Sequence, residues 1–426
     1  MYRLPSRLVV LAAAALACGG GRSAGETVVT FPGSALGAEG EVLRRQIARF
    51  EASRPGVRVD LRETPDDATQ RHQLYVQWLN ARAPDPDILQ LDVVWTPEFA
   101  AAGWILPLDR FGADPAEFFP AAARANTWGG RLYAIPWFVD VGMLYWRTDL
   151  FERAPETLAE LVALARRARA APGGPPYGIV WQGARYEGLV TVFLEVLGAF
   201  GGRIMTEDAR VAVDEPPAVR ALAFLRHQID PWEVAPEVVL TWHEEEARFA
   251  FQNGRAAFMR NWPYAYTLMS GPDSRVRGRF AVAPMPAGPG GAPTAALGGA
   301  QLAINAHSDA PAEAWELVVF LTAPEQMLER ARIAGQLPAR PALYDDPRLA
   351  RASPIPPGEA RRIVEAATPR PVTPIWTELS EILQIRLHRA LAGRARPQAA
   401  LDDAARAMEA TIEETGVARL HASPHP

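Results

Sequence analysis

The sequence predicts an α/β fold divided between two domains, and three observations carry that reading. Apolar runs of strand length alternate with longer amphipathic runs, the pattern of strands layered with helices. The chain has 426 residues, 49% of them hydrophobic, which is enough to bury two domain-sized cores. Nothing repeats at a solenoid period.

The elements follow in order. ETVVTF reads as a first strand. EGEVLRRQIARFEASRPG places Leu43, Ile47 and Phe50 on one helical face and stops at Pro55-Gly56. VRVDLRE alternates Val57, Val59 and Leu61, as a half-buried strand does. DILQLDVVW reads as a buried strand, and TPEFAAAG follows with Pro97 near a helix start and Gly103 as its stop. In TLAELVALARRARAAPGG, Thr157 and Glu160 have capping-box spacing. The last helix carries Leu401, Ala405, Met408 and Ile412 on one stripe. Pro/Gly clusters at 172–176, 286–293 and 354–359 read as surface loops.

Composition excludes several functions. Net charge is −5, so no basic field recruits nucleic acid. The chain has no lysine, which removes Schiff-base and lysine general-base chemistry. Its only cysteine, Cys18, closes an N-terminal segment made of a basic MYRLPSR and an apolar LVVLAAAALA. That run is too short for a permanent membrane span and fits an export signal over 1–17. Ala15-Leu16-Ala17 offers a small-x-small cleavage site. A sole cysteine followed by the tether GGGRSAG favours lipid attachment at Cys18, with 18–26 as a flexible tether. Disulfides and cysteine nucleophiles are excluded from the mature chain.

Candidate chemistry is sparse. WHEEEARF lacks a second histidine four residues away, so the zinc-protease pattern fails; it reads as a solvated helix start with Thr241 and Glu244 in capping-box spacing. His227, His307 and His388 stand singly. No nucleophile elbow or phosphate loop occurs, and no metal or cofactor is expected. Asp92 interrupts an apolar strand, where a carboxylate must be paired or hydrogen-bonded, or else caps the helix near Pro97. Ligands of open α/β sheets sit at the carboxyl ends of strands, which suits Asp92 to a binding site. Asp140 is the one charge within AIPWFVDVGMLYW. Arg370, between Pro369 and Pro371, has stiffened backbone, which lowers the entropy lost on engaging a ligand, and a structural arginine bridging helices is the equal alternative. RNWPYAY crowds Trp262, Tyr264 and Tyr266 around a proline that ends a strand, so the rings either roof a core or floor a pocket.

LQLDVVWTPEFAAAGWILPLD, LYAIPWFVDVGMLYWRTDLF, WQGARYEGLV, FMRNWPYAY, LGGAQLAI and RPVTPIWTELSEILQ resemble, in order and from about residue 27 to 416, the family 1 extracellular solute-binding proteins of ABC sugar importers, closest to the trehalose/maltose-binding branch. The resemblance implies a periplasmic-binding-protein type II fold, two α/β lobes joined by hinge segments with a ligand cleft between them. It assigns 27–137 and 299–341 to an N-terminal lobe and 138–298 and 342–426 to a C-terminal lobe. It makes Trp262 the platform for a pyranose ring, with Tyr264 beside it. One face of a pyranose is mostly C–H and buries well on an indole. Asp92 and Asp140 match the family's hydroxyl-binding carboxylates, Arg370 its cleft arginine, Gly298 and Gly299 a turn that lets backbone approach the sugar, and Glu39 an acid in the first loop. Phe138 and Ala300 depart from the tyrosine and tryptophan of trehalose/maltose relatives, which leaves the sugar open among alpha-glucosides.

The function so implied is capture of a di- or oligosaccharide by lobe closure about crossings near 136–141, 284–299 and 340–372, and delivery to ABC permease subunits and, through them, their ATPase. No bond is broken. The protein is expected to work as an exported monomer, periplasmic or on the outer face of the cytoplasmic membrane, touching the membrane only through its lipid. Two alternatives are a secreted glycoside hydrolase, since paired carboxylates over a tryptophan also describe those sites, and a binder of a polyamine or peptide. Arg370 in the cleft argues against a cationic ligand.

Overall fold

A computed structural model describes residues 26–33, 37–65, 68–206, 208–353 and 355–416. Cys18 and the segment read as an export signal lie outside the described residues. Strands β1 (Thr27–Pro32) and β2 (Val57–Arg62) pair in parallel. The helix between them, Gly37–Ser53, buries Leu43, Ile47 and Phe50 as their spacing predicts, and it places Glu39 in its first turn instead of a loop.

β3 (Ile88–Asp92) is shorter than the apolar run suggests. Asp92 accepts the Val94 N–H on its own Oδ1 at 3.2 Å, and its carbonyl accepts the Trp95 N–H at 3.0 Å. The chain therefore turns at the acid, and Asp92 ends the strand where it was expected to interrupt it. The helix Thr96–Ala101 has no side-chain cap, so Asp92 is not its N-cap.

A short ribbon, β4 (Thr127–Trp128) with β5 (Arg131–Leu132), leads to β6 (Ala134–Val141). Gly142 alone separates β6 from β7 (Met143–Arg147). β7 belongs to a second sheet with β8 (Tyr177–Val180), β9 (Ala256–Asn261) and β10 (Phe280–Ala283), in the order β10-β7-β9-β8. β11 (Ala295–Ile304) returns the chain to the first sheet. There it pairs with β3, β6 and the two-residue β12 (Ala367–Thr368). After β12 the chain re-enters the second lobe as helices Trp376–Leu391 and Pro397–Thr415, which pack with Glu187–Ala199 and Pro216–Ile229. Three passages thus join the sheets: at Gly142, between β10 and β11, and after β12. Helices Pro347–Ala352 and Pro357–Glu365, which precede the third passage, pack back on the turn Pro341–Asp345.

Local signals account for many boundaries. Thr157 accepts the Glu160 N–H at 3.1 Å and caps helix Leu158–Ala170, while the Glu160 carboxylate reaches the Glu156 N–H at 2.9 Å. The last helix buries Leu401, Ala405, Met408 and Ile412, the stripe read from the sequence. Among the described residues no helix is long and apolar enough to cross a membrane.

One charged pair sits where three of these elements meet. Glu195, on the buried helix Glu187–Ala199, and Arg260, on β9, are 0% and 1% exposed at their side chains. The Arg260 Nε donates to Glu195 Oε2 at 2.9 Å, and Glu195 also accepts the Ala296 N–H of β11 at 3.2 Å. A Cβ on Gly142 would lie 1.7 Å from Glu195 Oε1, so the first passage needs a glycine to clear the carboxylate. Removing one partner of a buried ion pair strands the other charge, at about 3–5 kcal/mol. Glu195→Ala is expected to lower the urea unfolding free energy by that order. A loss below about 1 kcal/mol would show the pair to be dispensable.

Candidate functional site

The site begins at the end of β9. Trp262 and Pro263 separate β9 from the six-residue helix Tyr264–Met269, so the expected chain reversal is a strand-to-helix turn. Tyr145 steadies it by donating to the Trp262 carbonyl at 2.7 Å. The Trp262 indole is braced on several sides. The Arg260 guanidinium stacks on its ring at 3.9 Å from the centroid, and its Nε1–H donates to Glu244 at 3.2 Å. The ring edge lies over Gly298, where a Cβ would sit 3.3 Å from Cζ3 of the indole. The residue nevertheless stays partly exposed. A flat ring held rigidly and left partly open to solvent has the geometry a stacking platform needs.

The acid-rich turn read as solvated holds this platform. Glu244 takes the indole N–H, and Glu245 accepts the Tyr264 hydroxyl at 2.8 Å and the Arg248 Nε at 2.9 Å. Burial pushes the Glu245 carboxyl up, but the bonds from Arg248 and Tyr264 outweigh it and hold the group below its usual value. Burial and the Glu245 charge push the Tyr264 hydroxyl well above its ordinary range, so it serves as a donor. The helix starts at Glu244 after His243, whose N–H is accepted by Glu246 at 2.9 Å; the Thr241 cap of the sequence reading is displaced by two residues.

Across from the indole lie β6 and β11. Asp140 pairs with Gly298 and Phe138 with Ala300, and Ala300 also faces Asp92. Gly299 has φ +109° and would drive a Cβ to 2.3 Å from the Phe138 carbonyl, so only glycine keeps the strands this close. Phe138 and Ala300 are both buried. Asp140 keeps some solvent contact, but its Oδ1 is buried and has no partner. Burial, then the charges of Glu39 and Asp92, push its carboxyl up to about 7, against the opposing pull of Arg260 and Arg330. The same interactions put Glu39 within electrostatic reach of Asp140 and of Arg330.

Arg370 makes the bridging contacts that the sequence left open beside ligand binding. It is 4% exposed, and it donates through Nη1 to Glu187 at 2.7 Å and through Nη2 to Asp92 at 3.4 Å and the Leu297 carbonyl at 3.2 Å. Burial alone would lower its pKa; the charges of Asp92 and Glu187 outweigh that and raise it. Glu187 also accepts the Trp376 indole N–H at 3.0 Å and the Ser380 hydroxyl. Glu39, Asp92, Asp140, Trp262, Gly298, Gly299 and Arg370 thus converge on one region, with Tyr264 on the turn behind the indole.

Sequence reasoning missed Glu187, Glu195, Glu244, Arg260 and Arg330. Arg260 carried a readable signal, a charge on an apolar strand immediately before the aromatic cluster. Arg330 had none, since it lies in a helix rich in charged residues. Among the described residues no cluster of histidine, cysteine and acids could hold a metal.

Two α/β lobes joined by strand crossings, with a braced indole near carboxylates beside the crossings, define the architecture of a solute-binding protein. The chain belongs to the bacterial extracellular solute-binding protein family, whose profile matches residues 34–328. It is 38% identical over 362 residues to a Deinococcus radiodurans protein named "Probable ABC transporter-binding protein", covering 82% of this chain and 86% of that one. It is similar to the structure of maltose-bound MalE3 of T. maritima, with 41% identity, a TM-score of 0.83, and coverage of 91% of this chain and 99% of that one. The fold is shared with the GacH receptor of Streptomyces glaucescens at 23% identity and a TM-score of 0.80, over 91% of this chain and 99% of the other.

The raised Asp140 pKa has a definite sign in stability. The unfolded carboxyl releases its proton near 3.8, the folded one near 7. Its favourable contribution is therefore complete below about 4 and is lost as pH rises to about 7. Asp140→Asn should gain thermal stability relative to the parent between pH 4 and pH 7.5 in the absence of sugar. A stability difference that stays flat across that window would contradict the assignment.

Proposed function

We propose that this chain captures maltose or a closely related alpha-glucoside in the cleft and hands it to the permease subunits of an ABC importer. The observation that carries the reading is the Trp262 indole, partly exposed, braced by Arg260 and Glu244, and set over Gly298 beside Asp140. A pyranose lays its C–H face on such a ring while its edge hydroxyls donate to carboxylates. The similarity to a maltose-bound protein at 41% identity supports maltose as the first sugar to test. The burial of Phe138 and Ala300 bears on which sugar fits, and trehalose and sucrose remain candidates in the same class.

In this reading Glu39, Asp92 and Asp140 accept hydroxyl bonds, Trp262 stacks with Tyr264 behind it, and Gly298 and Gly299 let backbone approach the ligand. Arg370 contacts the ligand through its unpartnered Nε, or else holds Asp92 in place. A few charge-assisted bonds at about 1.5–3 kcal/mol each, with one ring stack, suffice for about micromolar affinity. Lobe closure about the three passages sequesters the sugar and presents a surface to the permease. The packing of residues 347–365 on the turn Pro341–Asp345 supports a third hinge at 366–375, later than position 341. The protein acts as a monomer without cofactor, and Cys18 is its lipid attachment point. Loss of detergent-phase partitioning in Cys18→Ser tests the anchor.

A second reading is favoured by one feature, since a carboxyl with pKa near 7 beside Asp92 resembles a glycosidase acid/base pair. Incubation with maltose, trehalose and sucrose separates the two; free glucose would establish hydrolysis and end the binding-only account. Calorimetry is expected to give saturable binding of at least one of these sugars. Trp262→Ala should weaken it by roughly a hundredfold, on the order of 2–3 kcal/mol of lost apolar contact. Scattering should show a smaller radius of gyration with sugar bound. Unchanged affinity in Trp262→Ala would remove the platform from the site.

A further inference from the structure

Helix Pro324–Ala334 ends in a Gly335 cap with φ +72°, and the next residues carry the chain onto β6. A Cβ on Gly335 would approach Thr267 Oγ1 to 2.4 Å, on the helix that follows Trp262. Two residues on, Leu337 bridges Val139, whose N–H donates to the Leu337 carbonyl at 3.0 Å, next to Asp140. Gln336 is pinned between these contacts, one to each lobe. It is 2% exposed, and neither its Oε1 nor its Nε2 has a partner.

The same helix supplies Arg330, which is 1% exposed. Its guanidinium stacks 3.9 Å from the Trp137 ring centroid and 5.5 Å from that of Phe138, both just ahead of Asp140 on β6. Its Nε and Nη1 also lack partners. Burial pushes its pKa down to about 10, against Glu39, Glu329 and Asp140, so it stays charged at neutral pH. With Asp140 Oδ1, three side chains on or packed against β6 leave buried polar atoms unpaired.

Each unpaired buried group costs about 1–3 kcal/mol, and native proteins keep few of them. A cluster of them beside a binding platform is accounted for by a ligand that completes their bonds. The donor set restricts that ligand. Asp140 Oδ1 accepts, Arg330 donates, and the Gln336 amide does both. A cation would be repelled by Arg330 and an anion by Asp140 and Glu39. Two adjacent hydroxyls meet the set, one donating to the carboxylate while its neighbour accepts from a nitrogen.

We propose that Gln336 and Arg330 form, with Asp140, a diol-binding wall of the cleft and determine which sugar hydroxyls it accepts. The inference rests on the sugar-binding reading. Gln336→Leu tests it, because it removes the amide at similar volume. Without sugar, the variant should be as stable as the parent or more so, since an unpaired amide is gone. Its affinity for maltose, or for whichever of trehalose and sucrose the parent binds, should fall tenfold or more. Against a series of monodeoxy derivatives of that sugar, the loss should shrink at the one position whose hydroxyl meets the amide. Parent-like affinity, loss of ligand-free stability, or an equal affinity loss at every deoxy position would overturn the inference alone. A parent that binds none of the three sugars would overturn the underlying reading, and this inference with it.

Discussion

The buried pair Glu195–Arg260 is the constraint around which the cleft is organised. Glu195 reaches the Ala296 N–H on β11, and it leaves so little room at the first passage that position 142 must be glycine. Arg260 stacks beneath Trp262 and lowers the proton affinity of Asp140 against the acids around it. One ion pair therefore links two of the three passages between lobes to the platform and to an acid of the site. Buried pairs of this kind are a poor route to stability, because desolvation offsets most of the attraction. Their value here is positional: each charge has one low-energy arrangement, and the indole and the crossing strand inherit it.

The remaining charges follow the same logic. Three acids, Glu39, Asp92 and Asp140, crowd one side of the cleft, which would be unfavourable without counter-charge. Arg370 supplies it to Asp92 and, through Glu187, joins the end of β3 to the start of a helix in the other lobe. Arg330 acts on Glu39 and Asp140 from a buried position without a hydrogen bond of its own to either. Arg370 and Arg330 thus offset part of the acids' charge while individual acceptors stay open.

How much of this was legible in sequence depended on whether the signal was local. The last helix, the Thr157 cap and the strand-ending aromatic cluster were readable because periodicity and capping act over a few residues. Asp92 was readable as an anomaly, but its strand ended earlier than the apolar run implied, since the acid's own hydrogen bonds turn the chain. The turn 244–246 looked like a solvated helix start because three acids there satisfy the helix dipole equally well. Its tertiary duty, holding an indole and a phenol about twenty residues away, leaves no trace in spacing. Arg330 and Gln336 were illegible for the same reason: only the return of this helix and the residues after it onto β6 brings them beside Asp140.

The division of labour between the lobes has a physical consequence. The platform and its braces belong to the turn after β9, in the second sheet's lobe, whereas Asp92 and Asp140 sit on strands of the first sheet beside the crossings. Stacking alone could hold a sugar on one lobe, and hydroxyl bonds alone could hold it on the other. A ligand that used both sets would favour any state that brings the lobes together, through contacts no single lobe can make. Gly298 and Gly299 bring the crossing strand against both the indole and β6, so the two sets meet beside the crossing.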